Sequence, residues 1–241
     1  MSPSLWGRCP AGQRGVPRAE NMLLSLKAIE TFLTPHGLIP RGAIHLDASE
    51  ARALNANTLV LIGHAGSSIW PHFLEWQKSQ PAPLQNPLDT WSEKVITEVA
   101  TSLNARAIFP SQKPYQPFQQ WAMRAEGLKP SPLGILIHPT YGLWHAYRGA
   151  IVFADEILIQ SDEKLSHPCD LCIGKPCLST CPVGAFSAAG YDVETCRNYL
   201  ASKAGESCMS QGCKARLACP VGAEFRYGDE QMRFHMNAFA K

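Results

Sequence analysis

The stretch "LGILIHPTYGLWHAYRGAIVF", residues 133–153, decides the reading of the fold. It holds two apolar runs, "GILIHP" (134–139) and "HAYRGAIVF" (145–153), separated by the turn formers Thr140, Tyr141 and Gly142, a pattern that predicts an antiparallel pair of strands. Upstream, "ARAIFP" (105–110), "NTLVLIG" (57–63) and "GAIHLD" (42–47) are further short apolar runs bounded by turn residues, and each is expected to be a strand. Between them, "LLSLKAIETFL", "HAGSSIWPHFLEWQKS" and "FQQWAMRAEGL" carry apolar residues at helical spacing. "PLDTWSEKVITEVATSLN" does the same with Trp91, Val95, Val99 and Leu103 on one face, and Asp89 or Thr90 is the expected cap. Interleaved strands and helices predict an α+β domain over residues 22–164, with a mainly antiparallel sheet covered by helices.

The first 21 residues mix Pro, Gly and Arg without apolar periodicity and are expected to form a flexible extension, with Met22 a sensible alternative start and Cys9 incidental. With 45% hydrophobic residues the 241-residue chain can bury a sizeable core, and no run approaches the roughly 20 apolar residues needed to cross a bilayer. No secretory signal precedes the domain, so the cytoplasm is the expected compartment and no membrane partner is expected. A net charge of +2 argues against nucleic acid as a partner.

Beyond residue 165 the texture changes to short loops and cysteines. Cys169, Cys172, Cys177 and Cys181 are followed by Cys196, Cys208, Cys213 and Cys219, and Pro182 and Pro220 directly follow the fourth and the eighth. Eight thiolates are what two 4Fe-4S clusters need, one for each iron, and in two-cluster ferredoxins the closing cysteine of each run crosses to the other cluster. "CPVGAF" at Cys181 and "CPVGAE" at Cys219 form an internal repeat around the two closing cysteines. The expected ligand sets are therefore Cys169, Cys172, Cys177 and Cys219 for one cluster, and Cys181, Cys196, Cys208 and Cys213 for the other. Disulfides would need an oxidising compartment, and zinc usually takes paired CxxC motifs, of which only Cys169 and Cys172 form one. The four residues "IGKP" between Cys172 and Cys177 depart from the common two-residue spacing. Residues 165–241 are thus expected to be a small ferredoxin-like iron-sulfur domain.

Ile137, His138, Pro139, Gly142, Trp144, Arg148 and Gly149 resemble the "IHP", Gly, Trp and "RG" pattern of CblC-type cobalamin-processing proteins. The cysteine module resembles the one appended to reductive dehalogenases and epoxyqueuosine reductases. These resemblances imply a fold related to the flavin nitroreductases, with a corrinoid (cobalamin) over the sheet beside His138, Tyr141, Trp144 and Arg148. The thiol co-substrate portion of animal CblC proteins has no counterpart here. The function implied is an iron-sulfur redox protein that passes electrons from two 4Fe-4S clusters to the corrinoid, for cobalt reduction or upper-ligand removal. A low-potential donor of the flavodoxin or ferredoxin reductase type would supply the electrons. The alternatives are a ferredoxin-type carrier without a corrinoid and an epoxyqueuosine-reductase-like enzyme, against which the near-neutral charge speaks. Read as residues alone, His138 could be a hydrogen-bonded structural histidine, Tyr141 and Trp144 core packing, and Arg148 the partner of a carboxylate such as Asp155. "GHAGSS" (63–68) is expected to be a tight strand-to-helix turn, and "EQMRFHMNAFAK" (230–241) a helix docked over the clusters.

Overall fold

The computed structural model describes residues 25–159, 166–187 and 190–241, so the extension expected over residues 1–21, with Cys9, lies outside the described residues. Ser25 caps α1 (Leu26–Leu33), its hydroxyl accepting from the Ala28 N–H at 3.3 Å. Strand β1 (Ile39–His45) runs into α2 (Ala48–Leu54), a helix that apolar spacing alone did not signal. Its mark in the sequence is a capping box: Asp47 accepts from the amides of Ser49 and Glu50, and the Glu50 carboxylate accepts from the Asp47 N–H. Strand β2 (Thr58–Ala65) leads through the Gly66 turn into α3 (Trp70–Lys78), as "GHAGSS" implied. Helix α4 (Pro87–Ser102) starts earlier than expected, with Asn86 at the cap and Pro87 in the first turn. Asp89 is left to pair elsewhere. Strand β3 (Arg106–Ile108), α5 (Phe118–Glu126), the short β4 (Lys129–Pro130) and β5 (Leu136–Ile137), and the long β6 (His145–Phe153) complete this part.

The sheet runs β1-β2-β6-β3 and is antiparallel throughout. The pairing expected between 134–139 and 145–153 does not form. Both edges of β6 are taken by β2 and β3, so β5 pairs with β4 instead, and a lone His138–Gly142 bridge closes the turn. Both faces of the sheet are covered. Val60, Ile62 and Ile151 meet Ile29, Phe73, Trp91 and Ile96 on one side. Leu59, Leu61 and Val152 meet Trp121 and Phe118 of α5 on the other. The fold is α+β, a helix-covered and mainly antiparallel sheet.

Two bulges re-aim arginines, the use to which such irregularities are commonly put. Ile62 pairs with Gly149 and Gly63 with Tyr147, so Arg148 is the extra residue of β6. Likewise Pro40 pairs with Ile62 and Ala43 with Val60, leaving Arg41 and Gly42 together opposite Leu61.

Residues 166–241 contribute α6 (Pro176–Ser179), the hairpin β7 (Phe186–Ser187) and β8 (Gly190–Tyr191), α7 (Val193–Leu200), α8 (Glu206–Gln211), α9 (Lys214–Leu217) and α10 (Asp229–Ala240). The final helix does dock, and it docks onto the sheet domain as well as onto α8. Phe234 sets its ring edge-on to Trp70 and Phe73 at 5.3 and 5.5 Å, and Trp70 Nε1 donates to Glu230 at 3.0 Å. Among the described residues no helix is long and apolar enough to cross a membrane.

Candidate metal centre

The first cysteine run is shaped by its insertion. Gly174 and Lys175 take positive φ (75° and 37°), the chain reverses, and Pro176 opens α6 with Cys177 in its first turn. This folds Cys169, Cys172 and Cys177 around a small cavity, and Cys219, arriving after α9, closes the same cavity. Its apolar floor is Leu133, Ile137 and Leu143, from β5 and the loop and turn that flank it. Burial, and then the thiols of Cys219, Cys177 and Cys172, push the Cys169 thiol up to about 11. Burial pushes Cys177 and Cys219 up as well, again with the neighbouring thiols adding to it. Cys169, Cys177 and Cys219 are thus held as neutral thiols, whose ionisation a cation bound among them would favour.

The second set gathers around the β7–β8 hairpin. Cys181 accepts from the Ala185 N–H at 3.4 Å. Asp192 caps α7 through the Thr195 amide at 2.9 Å, which fixes Cys196 one residue later on that helix. Cys213, raised by burial, has Cys196 and Cys208 as its charge neighbours, while the backbone N–H groups of Arg216 and Ala215 offset part of that cost. Burial, and then the Cys196, Cys213 and Cys181 thiols, raise the Tyr191 phenol above its ordinary range. The eight cysteines of residues 166–241 are free thiols. Among the described residues no three His, Cys, Asp or Glu side chains converge on a point where one ion could sit. The first set instead lines the wall of its cavity. The sequence repeat is also a conformational one: Gly184 and Gly222, equivalent positions of "CPVGA", both take left-handed φ, 59° and 67°.

The four residues expected at a corrinoid do not share one open face. The His138 ring stacks on Tyr141 at 4.3 Å, and its Nδ1 accepts from the amides of Thr140 and Tyr141 at 3.0 and 3.1 Å. Burial, with the Arg41 guanidinium beside it, lowers His138 to about 4. Tyr141 in turn meets Phe225 edge-on at 5.0 Å. Trp144 is 1% exposed, packed on Tyr227 at 5.4 Å and covered by the Arg216 guanidinium at 4.4 Å. It is a packing residue between the sheet and residues 216–232, with no face open to a ligand. Arg148 lies elsewhere, donating to Ser92 Oγ at 3.0 Å and Asp89 at 2.6 Å, so its carboxylate is Asp89 and not Asp155. There it lines an open groove with Asn86, Asp89, His235, Asn237 and Lys241.

No family model and no curated protein matches the chain. Among solved structures it is similar to a selenomethionine-labelled epoxyqueuosine reductase (13% identity, TM-score 0.47, covering 76% of this chain and 54% of that one). It is also similar to the epoxyqueuosine reductase from Streptococcus thermophilus (14%, TM-score 0.49, covering 81% and 64%). A third is an epoxyqueuosine reductase with a tRNA-Tyr epoxyqueuosine-modified stem loop (12%, TM-score 0.48, covering 89% and 66%). The chain thus spans between about half and two thirds of the length of these proteins. The stem loop in the third structure counts against the expectation that a nucleic-acid partner is unlikely: a net charge of +2 averages over the whole surface and reports nothing about one local site.

Proposed function

We propose that the chain is an iron-sulfur reductase that holds two four-iron clusters, one on Cys169, Cys172, Cys177 and Cys219 and the other on Cys181, Cys196, Cys208 and Cys213. The observation that carries this is the grouping of the cysteines. Each thiol whose ionisation is opposed by others is opposed by members of its own set, and the first set surrounds a cavity. A tetrahedral zinc ion would need its thiolates drawn to a single point at about 2.3 Å from the metal. When bound, the clusters supply one-electron storage. The chain's own residues do the rest: thiolates hold the irons, amides such as Ala185 N–H point at sulfur, and Leu133, Ile137 and Leu143 keep water from one side of the first set. The division into a sheet domain over 22–164 and a cluster domain over 165–241 belongs to the same proposal.

The acceptor is a substrate of the reductase. An epoxyqueuosine-reductase-like activity on transfer RNA is the second reading, favoured by the direct seating of the cysteine module on the α+β sheet domain that the sequence resemblance implied. The residues expected to hold a corrinoid do not fit one, since Trp144 is enclosed and Arg148 stands apart from His138 and Tyr141.

Anaerobic purification followed by metal analysis tests the proposal. About eight iron and eight sulfide per chain are expected. Cys177→Ser and Cys208→Ser should each remove roughly half of the iron, as ligands of different clusters. One zinc per set, or no iron after reconstitution, would overturn the reading. Reduction of an epoxyqueuosine-modified stem loop by the loaded protein would decide for the second reading, and no turnover with a low-potential donor would decide against it.

A further inference from the structure

Helix α10 touches each segment that carries a cysteine of the second set. Its Phe239 ring lies nearly parallel to Tyr191 at 6.2 Å and 20°, and Tyr191 is itself stacked at 4.5 Å on Phe186, in the strand that follows the Cys181 turn. Arg197, one residue past Cys196 on α7, holds its guanidinium 5.2 Å from the Phe239 ring and donates from Nε to the Phe239 carbonyl oxygen at 3.1 Å. Buried Met232 fills the space beside Gly212, between Cys208 of α8 and Cys213: a Cβ on that glycine would stand 2.6 Å from the Met232 sulfur. The first set rests instead on its floor of Leu133, Ile137 and Leu143. The same helix is seated on α3 through Phe234 and Glu230. Yet the seat carries a fault at its centre. Gln231 is 0% exposed, and neither its Oε1 nor its Nε2 has a hydrogen-bond partner among the described residues. One turn further on, the buried Nε2 of His235 has none either. An amide that gives up water and gains no partner weakens the docked state of the helix that carries it.

We propose that α10 is a releasable clasp over the second cluster. Docked, it holds the ligand-bearing segments of Cys181, Cys196, Cys208 and Cys213 together and shields them; lifted, it opens that cluster, and not the first, to oxidants and chelators. The inference rests on the two-cluster reading. Aromatic contacts grip the helix at Phe234 and Phe239, while the unpaired amide between the sheet domain and α8 lowers the cost of letting go. Local opening of this kind exposes one cooperative unit and leaves the rest folded.

The test is the rate at which the anaerobic holoprotein loses iron to a ferrous chelator. The wild type should release its iron in two phases, and Cys208→Ser, which lacks the second cluster, identifies the phase that belongs to it. Gln231→Leu removes the unpaired amide and should slow that phase about fivefold or more, because the helix is lifted less of the time. Phe239→Ala removes one ring of the stack and should speed the same phase about threefold to tenfold. In both variants the other phase should keep its rate. A merely structural helix would lose iron faster, not slower, when Gln231 is replaced. Should Phe239→Ala shed the second cluster before the assay, Gln231→Leu decides by itself. A single phase of release, a Gln231→Leu rate that is unchanged or faster, or variants that move both phases together overturn the clasp and leave the reductase reading standing. A wild-type chain that takes up no iron overturns both.

Discussion

Arg41 is 2% exposed, and its place in the β1 bulge turns its guanidinium into the interior. Nε and Nη2 donate to the two Glu126 oxygens at 2.8 and 3.0 Å, and the Tyr141 and Tyr147 rings each lie 5.1 Å from the guanidinium carbon. The Tyr147 hydroxyl donates to the same carboxylate, and burial with that neighbouring charge pushes the phenol well above its ordinary range, so it stays a neutral donor. Such an arrangement is costly to break from one side, because the surviving charge keeps its desolvation and loses its countercharge. Arg41→Met should destabilise the chain by about 3–5 kcal/mol in chemical denaturation. Arg41→Met combined with Glu126→Gln should recover a good part of that, and Arg41→Lys should rescue poorly because an ammonium cannot span both oxygens. A single variant with unchanged stability would show that the bulge, not the ion pair, holds this corner.

At the scale of elements, the turn before β6 and the loop after Cys219 are pressed together backbone to backbone. A Cβ on Gly142 would run into the Val221 carbonyl, a Cβ on Gly222 would run into the Tyr141 carbonyl, and both glycines have left-handed φ, 57° and 67°. Gly142→Ala should cost about 1–3 kcal/mol from the backbone alone. It should also loosen the first cysteine set before the second, seen as faster loss of half of the iron to a chelator. This contact explains what could and could not be read beforehand. Helices α1, α3, α4, α5 and α10 follow from their 3.6-residue spacing, and the cysteine grouping follows from the "CPVGA" repeat. Strand pairing did not follow, because alternation says which face a residue takes and nothing about which edge its strand pairs with. The near-continuous apolar run Ala150–Phe153 marks a strand buried on both faces, but says nothing about its edges. His138, Tyr141 and Trp144 were legible as special, yet what they face is set by how residues 216–227 fold back over them.

Two buried histidines tie the whole molecule to pH. His64, 1% exposed, lies on β2 with Nδ1 donating to the Gly66 carbonyl at 3.0 Å and its ring 5.8 Å from Tyr227 of the C-terminal part. His145, 6% exposed, opens β6 with Nε2 donating to the Leu136 carbonyl at 3.1 Å and its ring 5.9 Å from His138. Burial, followed by the Arg148 guanidinium, holds His64 down to about 3; burial, followed by the Arg41 guanidinium, holds His145 down to about 2, the carbonyl contacts opposing only in part. Both folded values lie below the ordinary 6.5, so below that pH the unfolded chain binds protons that the folded chain refuses. Their contribution is whole above about pH 6.5 and is lost as the pH falls, at up to about 1.4 kcal/mol per pH unit for each histidine. His138 and His235, both lowered to about 4 by burial and a nearby arginine, act in the same direction. Glu50 works lower on the scale. Its carboxyl is only partly buried, and its hydrogen bonds from Arg124 and Trp121 hold it below the ordinary 4.5, so its stabilisation is present above that value and disappears only in stronger acid. The interval from pH 6.5 to 5 therefore belongs to the histidines, and charging them requires residues 216–235 to lift from the sheet. The urea midpoint should drop steeply across that interval, with intrinsic fluorescence of Trp144 shifting red as its cover is lost. His145→Gln should flatten the drop, and a midpoint that stays level from pH 7.5 to 5 would show that these rings are reached by solvent without opening the molecule.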